Sequence, residues 1–459
     1  MKRRRQWIAL LLCPVLLLSG CAAGSSLKSD AADDAPNAAL AEEAKKAAEE
    51  GKSLLSDGGA AVPEAAGEPE MAADAGAGAP GSDDAGIVLN YKDDPVKTGE
   101  WDGVPAEPID GTPGEGETDT LIPGQGLVLT AAEWNDNRNW PFFTNLVSSG
   151  RIRFPSFGID PRQRVPVQLT DADGSPLANE RVQLLDGEDT VLWTARSDKD
   201  GNAYLFFGPN QRPSRVVCGD KEAPVPLTQA GSDTQSHISV QIVEPIQLTV
   251  EQSAPAAEEL QVMFIVDTTG SMGDELAYLQ KDFSAIAHRV GSDGVRYAVS
   301  FYRDEGDEYV TRHNEFTSDV AQVQAQLNAE FAGGGGDTPE AVAEVLTECL
   351  KERSDWAENS VKLAFLIFDA PPHEGKEEAL QAAVQAAAAK GIHLIPVVAS
   401  NAERETELFG RALAICTNGS YVFLTDDSGV GESHLEPIVG NYEVEKLQDL
   451  IVRIIEQSR

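Results

Sequence analysis

From Gln261 to Asp267 the chain reads Gln-Val-Met-Phe-Ile-Val-Asp, an apolar run that closes on a carboxylate. A run this short and this continuously apolar predicts a strand buried on both faces. Beyond Pro255 such runs alternate with segments of helical spacing. The pattern predicts strands over Val295–Tyr302, Tyr309–Phe316, Val361–Phe368, Ile392–Ala399 and Tyr421–Thr425. It predicts helices over Gly273–Val290, Val320–Phe331, Pro339–Lys351, Lys376–Lys390, Glu403–Ile415 and Val444–Ile455. Strands alternating with helices give an α/β fold, a mostly parallel sheet with helices on both faces, over residues 256–459.

Upstream the period changes to two. Val165–Leu169, Arg181–Leu185, Val191–Ala195 and Ala203–Phe207 read as half-buried strands, with His237–Val243 as a late one. Asp171-Ala-Asp173-Gly174 and Asp198-Lys-Asp200-Gly201 punctuate them as turns, and neither continues into the spacing of a calcium loop. Short strands with Asp-Gly turns predict an all-β sandwich over residues 126–250. Val165 to Phe207 resembles the Ig-like, carboxypeptidase-regulatory repeat of bacterial surface proteins. The aromatics of Glu133–Asp136 and Trp140–Phe143 read as a short helical lead-in, with an aromatic carbohydrate platform as the sharper alternative.

From residue 21 to 125 the periodicity vanishes. Ala, Gly, Pro, Asp and Glu dominate, and such a segment buries too little apolar surface to offset its ordering entropy, so a disordered acidic linker is expected. Within it Asn37 to Leu55 has the Ala content and Glu/Lys spacing of a transient helix. Residues 1–20 carry Lys2-Arg3-Arg4-Arg5 and then an apolar stretch from Trp7 to Leu18, the layout of a signal peptide. Leu18-Ser19-Gly20-Cys21 resembles the bacterial lipobox, which implies lipidation of Cys21, membrane attachment through that lipid and residence on the extracytoplasmic face. Of five cysteines, Cys218, Cys349 and Cys416 lie beyond this region; their wide spacing gives neither a disulfide framework nor a CxxC metal pair. The net charge of -39 argues against nucleic acid as a partner.

The candidate chemistry gathers on three loops. Asp267-Thr268-Thr269-Gly270-Ser271-Met272 places a carboxylate and hard hydroxyl donors on one turn at a strand's carboxyl end. Gly333-Gly-Gly-Gly336-Asp337-Thr338-Pro339-Glu340 is a flexible loop in which Asp337 and Thr338 sit at a predicted helix start. Asp369-Ala370-Pro371-Pro372-His373 follows another apolar strand. Taken together these loops resemble those of a von Willebrand factor type A domain, specifically bacterial forms with a metal-ion-dependent adhesion site, over Glu258 to Arg459. The resemblance implies that Asp267, Thr269, Ser271 and Asp369 ligate Mg²⁺ (or Mn²⁺ or Ca²⁺). Asp337 or Thr338 would substitute for the threonine usual in the second loop.

That resemblance implies a binding device rather than an enzyme. A protein or extracellular-matrix ligand would complete the metal shell, by an acidic side chain in the family's usual mode. A third carboxylate in the second loop would weaken the attraction for such an acid. An envelope scaffold with a structural metal is the alternative. A metal-dependent phosphohydrolase is remote, because Thr269 stands where those enzymes need a second Asp. A hydrolase triad is disfavoured too, since Ser271 lacks the G-x-S-x-G elbow.

Overall fold

The computed structural model describes residues 128–226, 244–251, 257–291, 293–336, 338–428 and 433–459. The signal peptide, Cys21, the acidic linker with its Asn37–Leu55 helix, the His237–Val243 strand and Asp337 lie outside these residues. Among the described residues no helix is long and apolar enough to cross a membrane.

The strand predicted from the apolar run is β9, Glu259–Asp267, buried along nearly its whole length. It lies between β10 (Val295–Tyr302) and β12 (Ser360–Phe368), parallel to both. β13 (Ile392–Val398) and β14 (Tyr421–Thr425) extend the parallel set on the β12 side. A short β11 (Thr311–His313) closes the other edge in antiparallel sense. Alternation along β9 divides the core. Val262, Phe264 and Val266 face one layer, and Met263 and Ile265 the other. Phe264 stacks on Phe365 of β12 at 5.3 Å and meets Phe283 edge-on at 5.8 Å.

Phe283 belongs to α2 (Gly273–Val290), whose Leu276, Leu279, Phe283, Ile286 and Val290 recur at helical spacing on one buried face. With α3 (Val320–Ala329) and α7 (Leu447–Gln457) it covers the Phe264 face. The opposite face takes α4 (Val342–Leu346, continued by a wider turn to Glu352), α5 (Glu377–Lys390) and α6 (Arg404–Cys416). The α/β expectation therefore holds: a mostly parallel sheet with helices on both faces.

Several boundaries differ from the sequence reading: the strand expected over Tyr309–Phe316 is confined to Thr311–His313, and the helix expected over Val444–Ile455 starts at Leu447, its first three residues being a strand. Thr130–Trp134 is not part of a helical lead-in to the β-rich segment. It is strand β1, lying antiparallel between β14 and β15 (Val444–Lys446) in the large sheet. The β-rich segment is thus inserted between two strands of the α/β sheet. Local periodicity could not show this, because the partner of β1 lies almost 300 residues away. A further difference is that the helix expected to start at Pro339 begins at Val342.

Only Trp140–Ser148 of the lead-in is helical (α1), and Trp134, Trp140 and Phe143 are buried, which removes the carbohydrate-platform alternative. Beyond α1, two small sheets share an apolar core. One contains β2 (Arg164–Thr170), β5 (Asn202–Phe206) and β8 (Ile246–Thr249). The other contains β3 (Arg181–Asp186), β4 (Val191–Arg196), β6 (Pro213–Cys218) and β7 (Lys221–Pro224). Asp171 Oδ1 accepts the Asp173 and Ser175 N–H groups at 2.9 and 2.8 Å, and Asp198 Oδ1 those of Asp200 and Asn202 at 3.0 and 2.8 Å. Both Asp-x-Asp-Gly segments are self-bonded turns, as their sequence suggested.

A buried ion network fastens the connector to the sheet. Arg411 on α6 donates from Nε and Nη2 to Asp136 at 2.9 and 2.8 Å, and from Nη1 to Glu407 at 3.2 Å. The Trp134 indole N–H also donates to Asp136, at 2.9 Å. Arg411 and Glu407 are fully buried. Removing the guanidinium leaves Asp136 without its charge partner and Glu407 with Arg404 alone among the described residues. Arg411→Ala is therefore expected to destabilise the fold by about 3–5 kcal/mol, read as a lowered urea midpoint. An unchanged midpoint would show that the network carries no weight.

Candidate metal centre

The strand order reverses between β9 and β12, since β9 leads to β10 on one side and β12 to β13 on the other. Outside the carboxyl ends of those two strands the connections diverge and leave a crevice. Asp267 ends β9 and Asp369 directly follows β12, so two carboxylates enter the crevice from neighbouring strands. Asp267 Oδ1 accepts from the Thr269 N–H at 2.9 Å and the Thr269 hydroxyl at 2.6 Å, which fixes the turn. Thr269 Oγ1 in turn lies 3.4 Å from Ser271 Oγ. The intervening Thr268 points elsewhere, with its hydroxyl donating to the Tyr302 carbonyl at 2.9 Å.

The glycine-rich loop lies against this turn. The Gly333 N–H donates to the Thr268 carbonyl at 3.0 Å, and the Gly270 N–H to that of Gly334 at 3.2 Å. Gly334 and Gly335 both have positive φ, +80° and +67°. A Cβ on Gly334 would stand 2.4 Å from Asp307 Oδ2, and one on Gly335 3.2 Å from Thr269 Cβ. Glycine is therefore required twice over, by conformation and by space. Asp307, on the turn after β10, accepts the Gly335 N–H at 2.8 Å and the Asp304 N–H at 3.1 Å. Asp304 in turn bonds His373 Nε2 at 2.6 Å. One short turn thus ties the second loop to the third.

The structure brings Glu340 into the crevice, a residue the sequence reading had not assigned. Its N–H donates to the Pro371 carbonyl at 3.1 Å in an isolated parallel bridge with Pro372. Because α4 starts two residues later, Glu340 belongs to the loop and not to a helix. Asp267, Glu340 and Asp369 each place a carboxylate oxygen within 4.8 Å of the others. Asp267 Oδ2, Glu340 Oε2 and Asp369 Oδ1 are buried and receive no hydrogen bond among the described residues. A cleft of about 280 Å³ opens above them, lined among others by Thr269, Ser271, Thr338, Glu340 and Asp369.

Burial raises the Asp267 and Glu340 carboxyls above their ordinary range, and for Glu340 the Asp267 charge adds to it. Burial first, and then the Asp267 charge, lifts Asp369 from the usual 3.8 to about 7. Burial and the same three carboxylates also raise the Tyr302 hydroxyl. Each shift reports negative charge gathered in a poorly solvated place.

Of the residues read from sequence, the structure gathers Asp267, Thr269, Ser271 and Asp369 around one cleft. Thr338 lines the cleft but is exposed, and Asp337 lies outside the described residues. Glu340 was visible in sequence as the end of Gly-Gly-Gly-Gly-Asp-Thr-Pro-Glu. Pro339 suits a first helical position, which hides Glu340 as a loop residue in the sequence. Cys349 and Cys416 are buried and unpaired, and burial lifts the Cys349 thiol to about 12. Asp426, His434 and Ser400 form a chain in triad order, with Nδ1 to Asp426 at 2.7 Å and Nε2 to Ser400 Oγ at 3.2 Å. Ser400 is buried and its hydroxyl donates to Glu275 at 2.7 Å, so it is not placed as a nucleophile.

The sequence profile of the von Willebrand factor type A (VWA) domain matches residues 261–434, and a VWA domain is present there. Over 116 residues the chain is 29% identical to a putative ariadne-like RING finger protein of Acanthamoeba polyphaga mimivirus. That similarity covers 25% of this chain and 11% of the viral protein.

Two outcomes follow from the cluster. The folded chain holds the Asp369 proton to higher pH than the unfolded chain does. Its contribution is therefore complete below about pH 4 and lost as pH rises through about 7. Without divalent cations, the melting temperature should fall across that window in the wild type and fall less in Asp369→Asn. An equal slope in both would contradict the assignment. Asp307→Ala removes the acceptor of two loop N–H groups and should lower stability by about 1–3 kcal/mol in chemical denaturation.

Proposed function

We propose that this protein is a binding protein of the cell envelope whose VWA domain captures a protein partner through one divalent cation. The observation that carries this reading is the convergence of Asp267, Glu340 and Asp369, one from each of three loops, each with one buried oxygen that no donor among the described residues satisfies. Buried carboxylates are ordinarily paired or bound to metal. Oxygen donors of this kind suit a hard ion, Mg²⁺ before softer metals, with Mn²⁺ and Ca²⁺ as substitutes.

Asp267, Glu340 and Asp369 would hold the ion, and the Thr269 and Ser271 hydroxyls stand beside them as neutral donors. When bound, the cation would supply an electrophilic coordination position open to an oxygen of a partner. The cleft above the cluster supports binding over a purely structural metal, since structural sites are closed. Asp267 is positioned by Thr269, and Glu340 by its bridge to Pro372. The donor set is therefore organised by the fold before any ligand arrives. We read the chain as non-catalytic.

The lipobox-like Leu18–Cys21 supports anchoring by lipid on the extracytoplasmic face, with the acidic segment as spacer. The inserted two-sheet domain, read here as Ig-like, would add to the reach. Calorimetric titration with Mg²⁺ tests the site directly. The wild type should bind one ion, and Asp267→Asn and Glu340→Gln should each weaken it at least about tenfold. Unchanged affinity in both variants would overturn the proposal.

A further inference from the structure

The loops that frame the cleft carry more negative charge than the three inner carboxylates. Asp274 opens α2, Glu305 and Glu308 flank Asp307, Glu374 follows His373, and Glu403 lines the cleft; all five are exposed. Among the described residues of these loops the basic side chains are already engaged. Arg303 is buried beneath the Tyr309 and Phe331 rings, at 4.7 Å from each. Lys376 pairs with Glu305 at 2.8 Å and with Glu344 at 2.5 Å. Arg404 pairs with Glu407 and donates to the Glu436 carbonyl. One large apolar side chain is exposed on the approach to the glycine-rich loop: Phe331, 59% exposed, two residues before Gly333.

Charge at the centre points the same way. Three carboxylates around one divalent ion leave a net negative charge, and the neighbouring Thr269 and Ser271 add none. An acidic side chain approaching this site would meet repulsion from the rim and no net attraction at the centre. A neutral oxygen could fill the open position without that cost. A lysine or arginine beside it would find acidic partners around the rim and the exposed Phe331 ring as a cation–π surface.

We infer that the partner face is cationic: a lysine- or arginine-rich protein segment that offers a neutral oxygen, a carbonyl or hydroxyl, to the cation site. This rests on the divalent-cation reading above and reverses the acidic ligand that the family resemblance implied. The positioning of the rim on the same loops as the donors couples the two, so the metal and the rim charges select one partner together.

Fluorescence anisotropy with two labelled peptides tests the inference, at about 0.15 M salt to screen diffuse attraction. One peptide alternates lysine and serine and the other glutamate and serine, each with saturating Mg²⁺ and with EDTA. The full-length chain should bind the lysine–serine peptide, more tightly with Mg²⁺, and should not bind the other. The rim variant Glu308→Lys/Glu374→Lys/Glu403→Lys should weaken that binding at least about tenfold. The same charge change on the β-domain, Glu188→Lys/Asp220→Lys/Glu222→Lys, should alter it less than about twofold, which separates the rim from overall charge. Phe331→Ala should weaken it as well. Equal losses in the two triple variants, or tighter binding of the glutamate–serine peptide, would overturn the inference. Mg²⁺ titration of the same samples separates the claims. A chain that binds Mg²⁺ yet prefers the acidic peptide keeps its cation site and loses the cationic partner. A chain that binds no Mg²⁺ loses both.

Discussion

Three carboxyl groups share a space in which their oxygens lie within 4.8 Å of one another, largely screened from water. At an effective dielectric of about 20, each pair of charges at that separation repels by roughly 3.5 kcal/mol. Three charges therefore cannot coexist there without compensation, which must come from protons or from a cation. The geometry of the three loops is organised around that constraint. Asp267 has one oxygen bonded to Thr269 and the other without a hydrogen-bond partner among the described residues, Glu340 is pinned by the bridge to Pro372, and Asp369 projects from the neighbouring strand.

Elsewhere the chain solves the same problem differently. Asp136 and Glu407 are as deeply buried, and Arg411 is placed between them with bonds at 2.8 to 3.2 Å. At the crevice no arginine or lysine reaches the three carboxylates among the described residues. The nearest loops instead supply backbone closeness, through Gly334 and Gly335, and rigidity, through Asp307 and the Asp304–His373 pair. A fold that neutralises one buried acid cluster internally and leaves another open is suited to external neutralisation at the second. The large sheet makes this arrangement stiff: β9 and β12 are packed on both faces, and Arg411 fastens the strand that precedes the inserted β-domain.

Much of this was legible in the chain. The Gln261–Asp267 run, the helical spacing of α2 and the apolar strand before Asp369 fix the α/β class, because both periods are local properties. Four strands of the β-domain were readable for the same reason. What escaped was set by distant partners. β1 became a strand of the large sheet by pairing with β14 and β15. β6 and β7 carry weak alternation and are held by their neighbours, whereas Ile246–Thr249 of β8 alternates but is only four residues long. Glu340 entered the site through a bridge to Pro372, and no spacing rule within its own loop announces that contact. The donor set of the first and third loops was readable because each follows an apolar strand directly; the second loop has no such strand to orient it.

Diffraction from crystals grown with Mn²⁺, read by anomalous scattering, addresses the central claim most directly. One peak is predicted in the crevice, within coordination distance of Asp267, Glu340 and Asp369, with Glu340 facing the ion. A crevice without a peak, or a peak from which Glu340 turns away, would contradict it.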